Sequence, residues 1–114
     1  MTELTLFQKI IRREIPAEIL METKDTIVIK DIHPQAPVHV LIIPKKLIQR
    51  TSEAQEEDAL LLGKLLLTAK AFAEKEELSN GYRLVINNGR MAGETIPHLH
   101  IHLFAGRPMS WPPC

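Results

Sequence analysis

Three histidines alternate with aliphatic residues in the segment PHLHIHLFAG, residues 97–106. Successive side chains of a strand point to opposite faces, so the alternation predicts a strand with His98, His100 and His102 on one face. The aliphatic face is then buried, and the imidazole face is free to bind a ligand. The chain has only five histidines, so three on one face indicate a functional site rather than chance placement.

Imidazole chemistry leaves two kinds of site open. A neutral imidazole can attack phosphorus, while neighbouring imidazoles fix its tautomer or donate hydrogen bonds to phosphate oxygens. Three histidines are also a zinc ligand set. The outer two lie about 13 Å apart along a strand, so a zinc ion would need His39, from another strand, as a ligand. The spacing favours a phosphate group with no metal or cofactor, and zinc is the alternative.

The segment NNGRMAGETIP, which precedes the histidines, is predicted to be a loop that helps to bind the anion. Glycines such as Gly93 let backbone N–H groups approach a phosphate closely. Asn87 and Thr95 offer neutral hydrogen-bonding groups. Glu94, in contrast, is expected to bring a negative charge close to the phosphate.

The elements that position these residues form an α+β pattern. Thr5 and Gln8 make a capping box that begins a short helix, and Ser52 and Gln55 make a second one that begins a long helix ending before Asn80-Gly81. With about five strands and short connections, this order predicts an antiparallel sheet in a single domain, residues 1–114. The predicted strands are EILMET, TIVIKDI, Val38 to Ile43, YRLVI and the histidine segment.

Composition excludes several classes of function. Fourteen basic residues balance fourteen acidic ones, so no net field attracts nucleic acid or an anionic membrane. The single cysteine, Cys114, excludes an intrachain disulfide, and charged residues interrupt the N-terminal segment where a secretory signal would be apolar. A cytoplasmic protein is expected. The long helix is so rich in leucine that it should be covered on more than one side, as in a homodimer.

The motifs together resemble the histidine triad (HIT) superfamily, and within it the Hint branch. The resemblance covers nearly the whole chain. It rests on HLHIHLF, DIHPQAPVHVLIIPKK, YRLVINNG, the tail GRPMSWPPC and the opening LFQKIIRREIPA. It implies an α+β HIT-like fold whose sheet continues across a homodimer.

The resemblance also implies an activity, the hydrolysis of purine nucleoside 5′-phosphoramidates through a nucleotidyl-histidine intermediate. His100 would be the nucleophile, His102 would contact phosphate, and His98 and His39 would form a supporting hydrogen-bonded pair. The resemblance further implies that Trp111 reaches towards the partner subunit's site. Asn87, Gly93 and Thr95 would lie at the phosphate or leaving group, Asp31 would bind the ribose hydroxyls, and Phe7, Ile10, Ile15, Ile29 and Ile32 would surround the purine.

Two other activities remain open at this stage: a dinucleoside polyphosphate hydrolase, and a nucleotide-binding regulatory protein with weak catalysis. The chain also departs from the family pattern at the flank of the histidine segment. Glu94 stands where many relatives have Gln, and Pro97 replaces a common aromatic residue. Glu94 is expected either to slow anion binding or to favour basic leaving groups, and Pro97 is expected to alter entry to the site.

Overall fold

A computed structural model describes residues 3–114, so the first two residues of the predicted 1–114 domain lie outside the described residues. Within that range the chain forms two α-helices, five strands and three short 3-10 turns. The helices are α1 (Leu6–Ile11) and α2 (Ala59–Lys75), and the strands are β1 (Ile19–Glu22), β2 (Thr26–Lys30), β3 (Val38–Pro44), β4 (Arg83–Val85) and β5 (Ile101–Ala105).

All five strands belong to one antiparallel sheet with the order β1-β2-β3-β5-β4. This confirms the predicted α+β class. The register of β3 with β5 pairs His39 with Phe104 and Leu41 with His102. His39 and His102 are therefore diagonal neighbours on the same face, close enough for their side chains to meet.

The sheet buries a different core on each face. Helix α2 covers one face, where Leu65 and Phe72 pack with Leu99, Ile101 and Leu103. The aliphatic half of the histidine segment is therefore buried, as predicted, and the long helix covers it. On the other face α1 contributes two buried residues to a second core, which consists of Phe7, Ile10, Ile27, Ile29, Leu41 and Ile43.

Strand β5 is shorter than the alternation predicts. It begins at Ile101, so His98 and His100 precede it. The backbone N–H of His98 donates to the carbonyl of Ile96 in a turn, at 2.8 Å, rather than to a neighbouring strand. Only His102 of the three histidines therefore obtains its orientation from strand pairing.

The predicted start of the long helix is wrong. The backbone N–H of Ser52 donates to Oδ1 of Asn88, at 2.8 Å, and Ser52 lies in a separate 3-10 turn, Thr51–Glu53. A second turn, Glu56–Asp58, leads directly into α2. The hydrogen bond that caps this second turn comes from Asp58, whose carboxylate accepts the backbone N–H of Gln55 at 2.9 Å.

The helix also ends earlier than predicted, at Lys75 rather than before Asn80-Gly81. Glu77 adopts φ 55°, and the N–H groups of Glu77 and Leu78 donate to the carbonyls of Glu74 and Ala73. This is the hydrogen-bond pattern of a Schellman motif, which a glycine usually provides. A glutamate in that position gives no signal in the sequence.

Candidate active site

Four histidines lie together between α1 and the sheet. His39 belongs to β3 and His102 to β5, while His98 and His100 lie in the connection that enters β5. His98 is completely buried, and His39 and His100 are less than a tenth exposed. Because buried ring nitrogens need partners, their hydrogen bonds fix the tautomer of each imidazole.

His98 is held at both ends of its ring. Nε2 lies 2.8 Å from the carbonyl oxygen of Pro44, and a carbonyl only accepts hydrogen bonds, so Nε2 carries the proton. Nδ1 lies 3.0 Å from the hydroxyl of Thr5 and accepts its hydrogen. Both nitrogens of His98 are thus used by the protein, and neither is available to a substrate.

His100 has the opposite tautomer. Its Nδ1 lies 2.7 Å from the carbonyl oxygen of His98 and must carry the proton. A backbone carbonyl thus holds the proton of the central histidine. The lone pair is left on Nε2, the nitrogen that a nucleophilic imidazole uses when Nδ1 is occupied. Phe7 packs edge-on against the ring at a centroid distance of 5.0 Å.

His39 and His102 form the hydrogen-bonded pair of the site. The backbone N–H of Gln35 donates to Nδ1 of His39 at 3.1 Å, so the proton of neutral His39 is on Nε2. That nitrogen lies 2.9 Å from Nδ1 of His102 and donates to it. His102 therefore carries its own proton on Nε2. The predicted pairing of His98 with His39 is wrong, because the strand register brings His39 to His102 instead.

All four histidines are neutral near pH 7. Burial lowers the pKa of His98, His100 and His39, although the carboxylate of Asp31 partly opposes the change at His39 and the Pro44 carbonyl opposes it at His98. Burial, together with repulsion from its two imidazole neighbours, lowers the pKa of His102 to about 4. The site therefore presents a lone pair at one imidazole and an N–H donor at another.

A cavity of about 330 Å³ opens beside these imidazoles. His100 and His102 line the cavity, together with Thr95, Asp31 and Ile32. The cavity also includes every residue that the resemblance assigned to an apolar pocket, namely Phe7, Ile10, Ile15, Ile29 and Ile32.

The other predicted ligand-binding residues do not line this cavity. Gly93 ends the 3-10 turn Arg90–Ala92 with φ 92°, and Asn87 follows β4. Both belong to the loop that ends at Thr95, which reaches the cavity wall. The structure therefore groups Thr95 with the imidazoles, and it places Asn87 and Gly93 in the segment that supports Thr95.

The sequence led us to expect that Glu94 brings a negative charge close to the phosphate. In the structure this charge is compensated. The carboxylate of Glu94 accepts two hydrogen bonds from the guanidinium of Arg50, both at 2.9 Å, and a third from the backbone N–H of Gly89. The Arg50 and Gly89 contacts lower the pKa of Glu94 to about 2. Glu94 is a fixed anion paired with a cation, and it closes the loop before Thr95.

One carboxylate and two imidazoles of the site are of the types that together bind metal ions. Asp31, His39 and His102 offer ligand atoms that lie within 4.8 Å of one another. A histidine that binds a metal usually donates the proton on its other nitrogen to an acceptor. In His39 that other nitrogen receives the N–H of Gln35 instead, so Nε2 keeps its proton and has no lone pair for a cation. The donor set does not fit a resident zinc ion.

Sequence reasoning missed the groups that orient the imidazoles. These are the hydroxyl of Thr5, the carbonyl of Pro44 and the N–H of Gln35. Two of the three are backbone groups, which no residue type reveals. Thr5 was recognised as a helix cap, but its contact with His98 joins residues 93 positions apart. Only the folded arrangement brings them together.

Alternate histidines that lead into a strand of an antiparallel sheet, beside an apolar cavity, are characteristic of the histidine-triad class of proteins. The chain belongs to the HIT domain family, whose model matches residues 12–109. It is 55% identical over 113 residues to an uncharacterized HIT-like protein of Synechococcus elongatus, covering 99% of each chain. It is 45% identical to the 14 kDa zinc-binding protein of Zea mays over 96% of this chain and 87% of that protein.

A similar structure has been solved for a HIT family hydrolase from Legionella pneumophila. The two structures superpose with a TM-score of 0.93 at 46% sequence identity, over 96% of this chain and 98% of that one. The similarity confirms the HIT-like fold expected from the sequence.

Proposed function

We propose that this protein is a hydrolase that cleaves the P–N bond of purine nucleoside 5′-phosphoramidates, as in the Hint branch of the family. The observation that carries the proposal is the 2.7 Å contact between Nδ1 of His100 and the carbonyl of His98. It leaves a lone pair on Nε2 of an imidazole that lines the cavity. The solved Legionella relative, named a hydrolase, supports the same class of reaction.

The reaction proceeds in two displacements. Nε2 of His100 attacks the α-phosphorus, the P–N bond breaks, and the amine leaves with the bonding electron pair and takes a proton from water. Water then attacks phosphorus, the bond between phosphorus and His100 breaks, and a nucleoside monophosphate is released. Nε2–H of His102 donates a hydrogen bond to a phosphate oxygen as charge develops. Glu94, ionised with a pKa of about 2, is not the acid that protonates the amine.

The cavity suits the nucleoside part of this substrate. Its apolar wall of Phe7, Ile10 and Ile29 accepts the flat face of a base. Asp31 also lines the cavity, with Oδ2 3.4 Å from Nε2 of His39, and a carboxylate there can accept hydrogen bonds from two ribose hydroxyls. One carboxylate oxygen of Asp31 already accepts the N–H of His33 at 2.8 Å, which holds the side chain in position.

A turnover panel on the purified protein tests the activity. We expect adenosine 5′-phosphoramidates to be hydrolysed with a higher kcat/KM than diadenosine polyphosphates. The reverse order would make the protein a dinucleoside polyphosphate hydrolase. Nucleotide binding without turnover of either substrate would make it a regulatory nucleotide-binding protein, and it would overturn the proposal.

We also propose that the protein forms a homodimer. Helix α2 leaves Leu60, Leu66 and Leu67 more than half exposed, and leucines in such numbers on one helix are typical of a buried surface. Strand β4 is an edge strand of the sheet, where a second copy can continue the hydrogen bonding. The tail ends near this edge, since Arg83 of β4 donates to the carbonyl of Ser110. A monomer at micromolar concentration in sedimentation experiments would contradict the dimer.

A further inference from the structure

One hydroxyl group connects the first helix to the histidine cluster. Thr5 is the N-cap of α1, and its Oγ1 accepts the backbone N–H of Gln8 at 3.0 Å. The same oxygen lies 3.0 Å from Nδ1 of His98, a ring that is completely buried. A residue that caps a helix thus also contacts a histidine of the triad.

The direction of this second hydrogen bond follows from the neighbouring contacts. His98 must keep its proton on Nε2 to donate to the carbonyl of Pro44, so its Nδ1 is an acceptor. The hydroxyl of Thr5 already accepts from Gln8, and its own hydrogen is free to be donated to His98. Thr5 therefore acts as an acceptor towards the helix and as a donor towards the imidazole.

We propose that Thr5 is a positioning residue of the triad, whose hydroxyl holds His98 as the neutral Nε2–H tautomer and keeps its ring fixed between α1 and Pro44. The effect reaches the nucleophile through the backbone, because the carbonyl of His98 is the group that binds Nδ1–H of His100. As a step in catalysis this inference rests on the proposed function. The tautomer of His98 is independent of any substrate.

The second residue of α1, Phe7, strengthens the connection. Phe7 packs edge-on against both His98 and His100, with ring centroids 5.9 and 5.0 Å apart. It also lines the apolar end of the cavity. Since Thr5 fixes the start of α1, one short helix positions the wall of the cavity and the rings that perform the chemistry.

Three substitutions separate the capping role of Thr5 from its role as a donor. Thr5→Ser keeps both roles. Thr5→Asp keeps the cap, since aspartate is at least as good an N-cap as threonine, but an ionised carboxylate has no hydrogen to donate to His98. Thr5→Ala loses both roles and should lower the melting temperature by about 4–8 °C. Thr5→Ser and Thr5→Asp should melt close to the wild type.

Nitrogen-15 NMR of the imidazole rings reads the tautomer directly. We expect His98 in the wild type and in Thr5→Ser to show one protonated and one unprotonated nitrogen. In Thr5→Asp the carboxylate should draw a proton to Nδ1, so that both nitrogens are protonated. An unchanged neutral Nε2–H signature of His98 in Thr5→Asp would overturn the inference.

Activity gives a second readout. With an adenosine 5′-phosphoramidate we expect kcat to fall about tenfold or more in Thr5→Asp and to be restored in Thr5→Ser, with a smaller change in KM. Wild-type kcat in Thr5→Asp would contradict the positioning role. If the wild-type protein itself shows no turnover, the proposed function fails, while the NMR spectra still decide whether Thr5 fixes His98.

Discussion

Both faces of the sheet bury an apolar core, but only the face beneath α1 also carries a cluster of imidazoles held by hydrogen bonds. On the face beneath α2, side chains such as Leu65, Phe72 and Leu103 pack against one another and exclude water. On the face beneath α1, the imidazoles are held by hydrogen bonds to a hydroxyl, to backbone groups and to one another. Strand β5 contributes to both faces, because its residues alternate between them.

This difference assigns separate roles to the two faces. Apolar packing stabilises the fold in proportion to the area buried, and it tolerates exchange among residues of similar volume. Hydrogen bonds that fix a tautomer contribute less to stability, but each determines which nitrogen can react. Substitutions on the two faces should therefore separate stability from activity.

The largest effect is expected for His100→Ala on the α1 face. It removes the nucleophile, so kcat/KM for an adenosine phosphoramidate should fall about a thousandfold or more. The melting temperature should change little in comparison, because neighbouring imidazoles and Phe7 remain. Activity near that of the wild type would remove His100 from the mechanism.

The opposite result is expected for Phe72→Ala on the α2 face. Phe72 is 1% exposed, so truncation should lower the free energy of unfolding by about 3–5 kcal/mol. The variant molecules that remain folded should keep their kcat. Lys70→Ala, on the exposed side of the same helix, is the matched control and should lie within about 0.5 kcal/mol of the wild type. Urea unfolding measures the free energy of unfolding of both variants. Equal losses in Phe72→Ala and Lys70→Ala would contradict the role of apolar packing on the α2 face.

A fall in pH should destabilise the imidazole face. The pKa of each buried histidine is lowered on folding, to about 4 for His102, so below pH 6.5 the unfolded chain binds more protons than the native one. The stabilising effect of the neutral rings is complete above pH 6.5 and is lost as the pH falls towards 4. His102 alone should lower the free energy of unfolding, measured in urea, by about 3 kcal/mol over this interval. A stability that is independent of pH there would mean that the rings titrate normally.

The smallest effect is expected from removal of metal ions. Because Nε2 of His39 carries a proton that it donates to His102, the cluster with Asp31 should bind no zinc at neutral pH. Dialysis against excess chelator should leave kcat/KM unchanged, and elemental analysis should find less than one zinc per chain. A loss of activity that added zinc restores would show that the hydrogen bond from Gln35 is displaced.

Patterns within short segments predicted most of the fold. The capping box of Thr5 and Gln8, the strand Val38–Pro44 and the alternation around β5 each depend on neighbours in the sequence. The end of a helix was less predictable where a residue other than glycine adopts the left-handed conformation. Glu77 ends α2 in a conformation that glycine normally adopts.

The site was predictable in its residue types but not in its pairings. The alternation predicted that His98, His100 and His102 act together, and the resemblance added His39. Which of them meets His39 depends on the register of β3 with β5, which is set by packing across the sheet. The partner of Glu94 was missed for the same reason, because Arg50 lies 44 residues earlier in the chain.

The stereochemistry at phosphorus tests the central claim, two displacements at His100, most directly. A phosphorothioamidate that is chiral at the α-phosphorus can be hydrolysed in isotopically labelled water and its product configuration determined. Each in-line displacement inverts phosphorus, so two displacements predict net retention. Net inversion would show that water attacks the substrate directly, and it would contradict a covalent intermediate on His100.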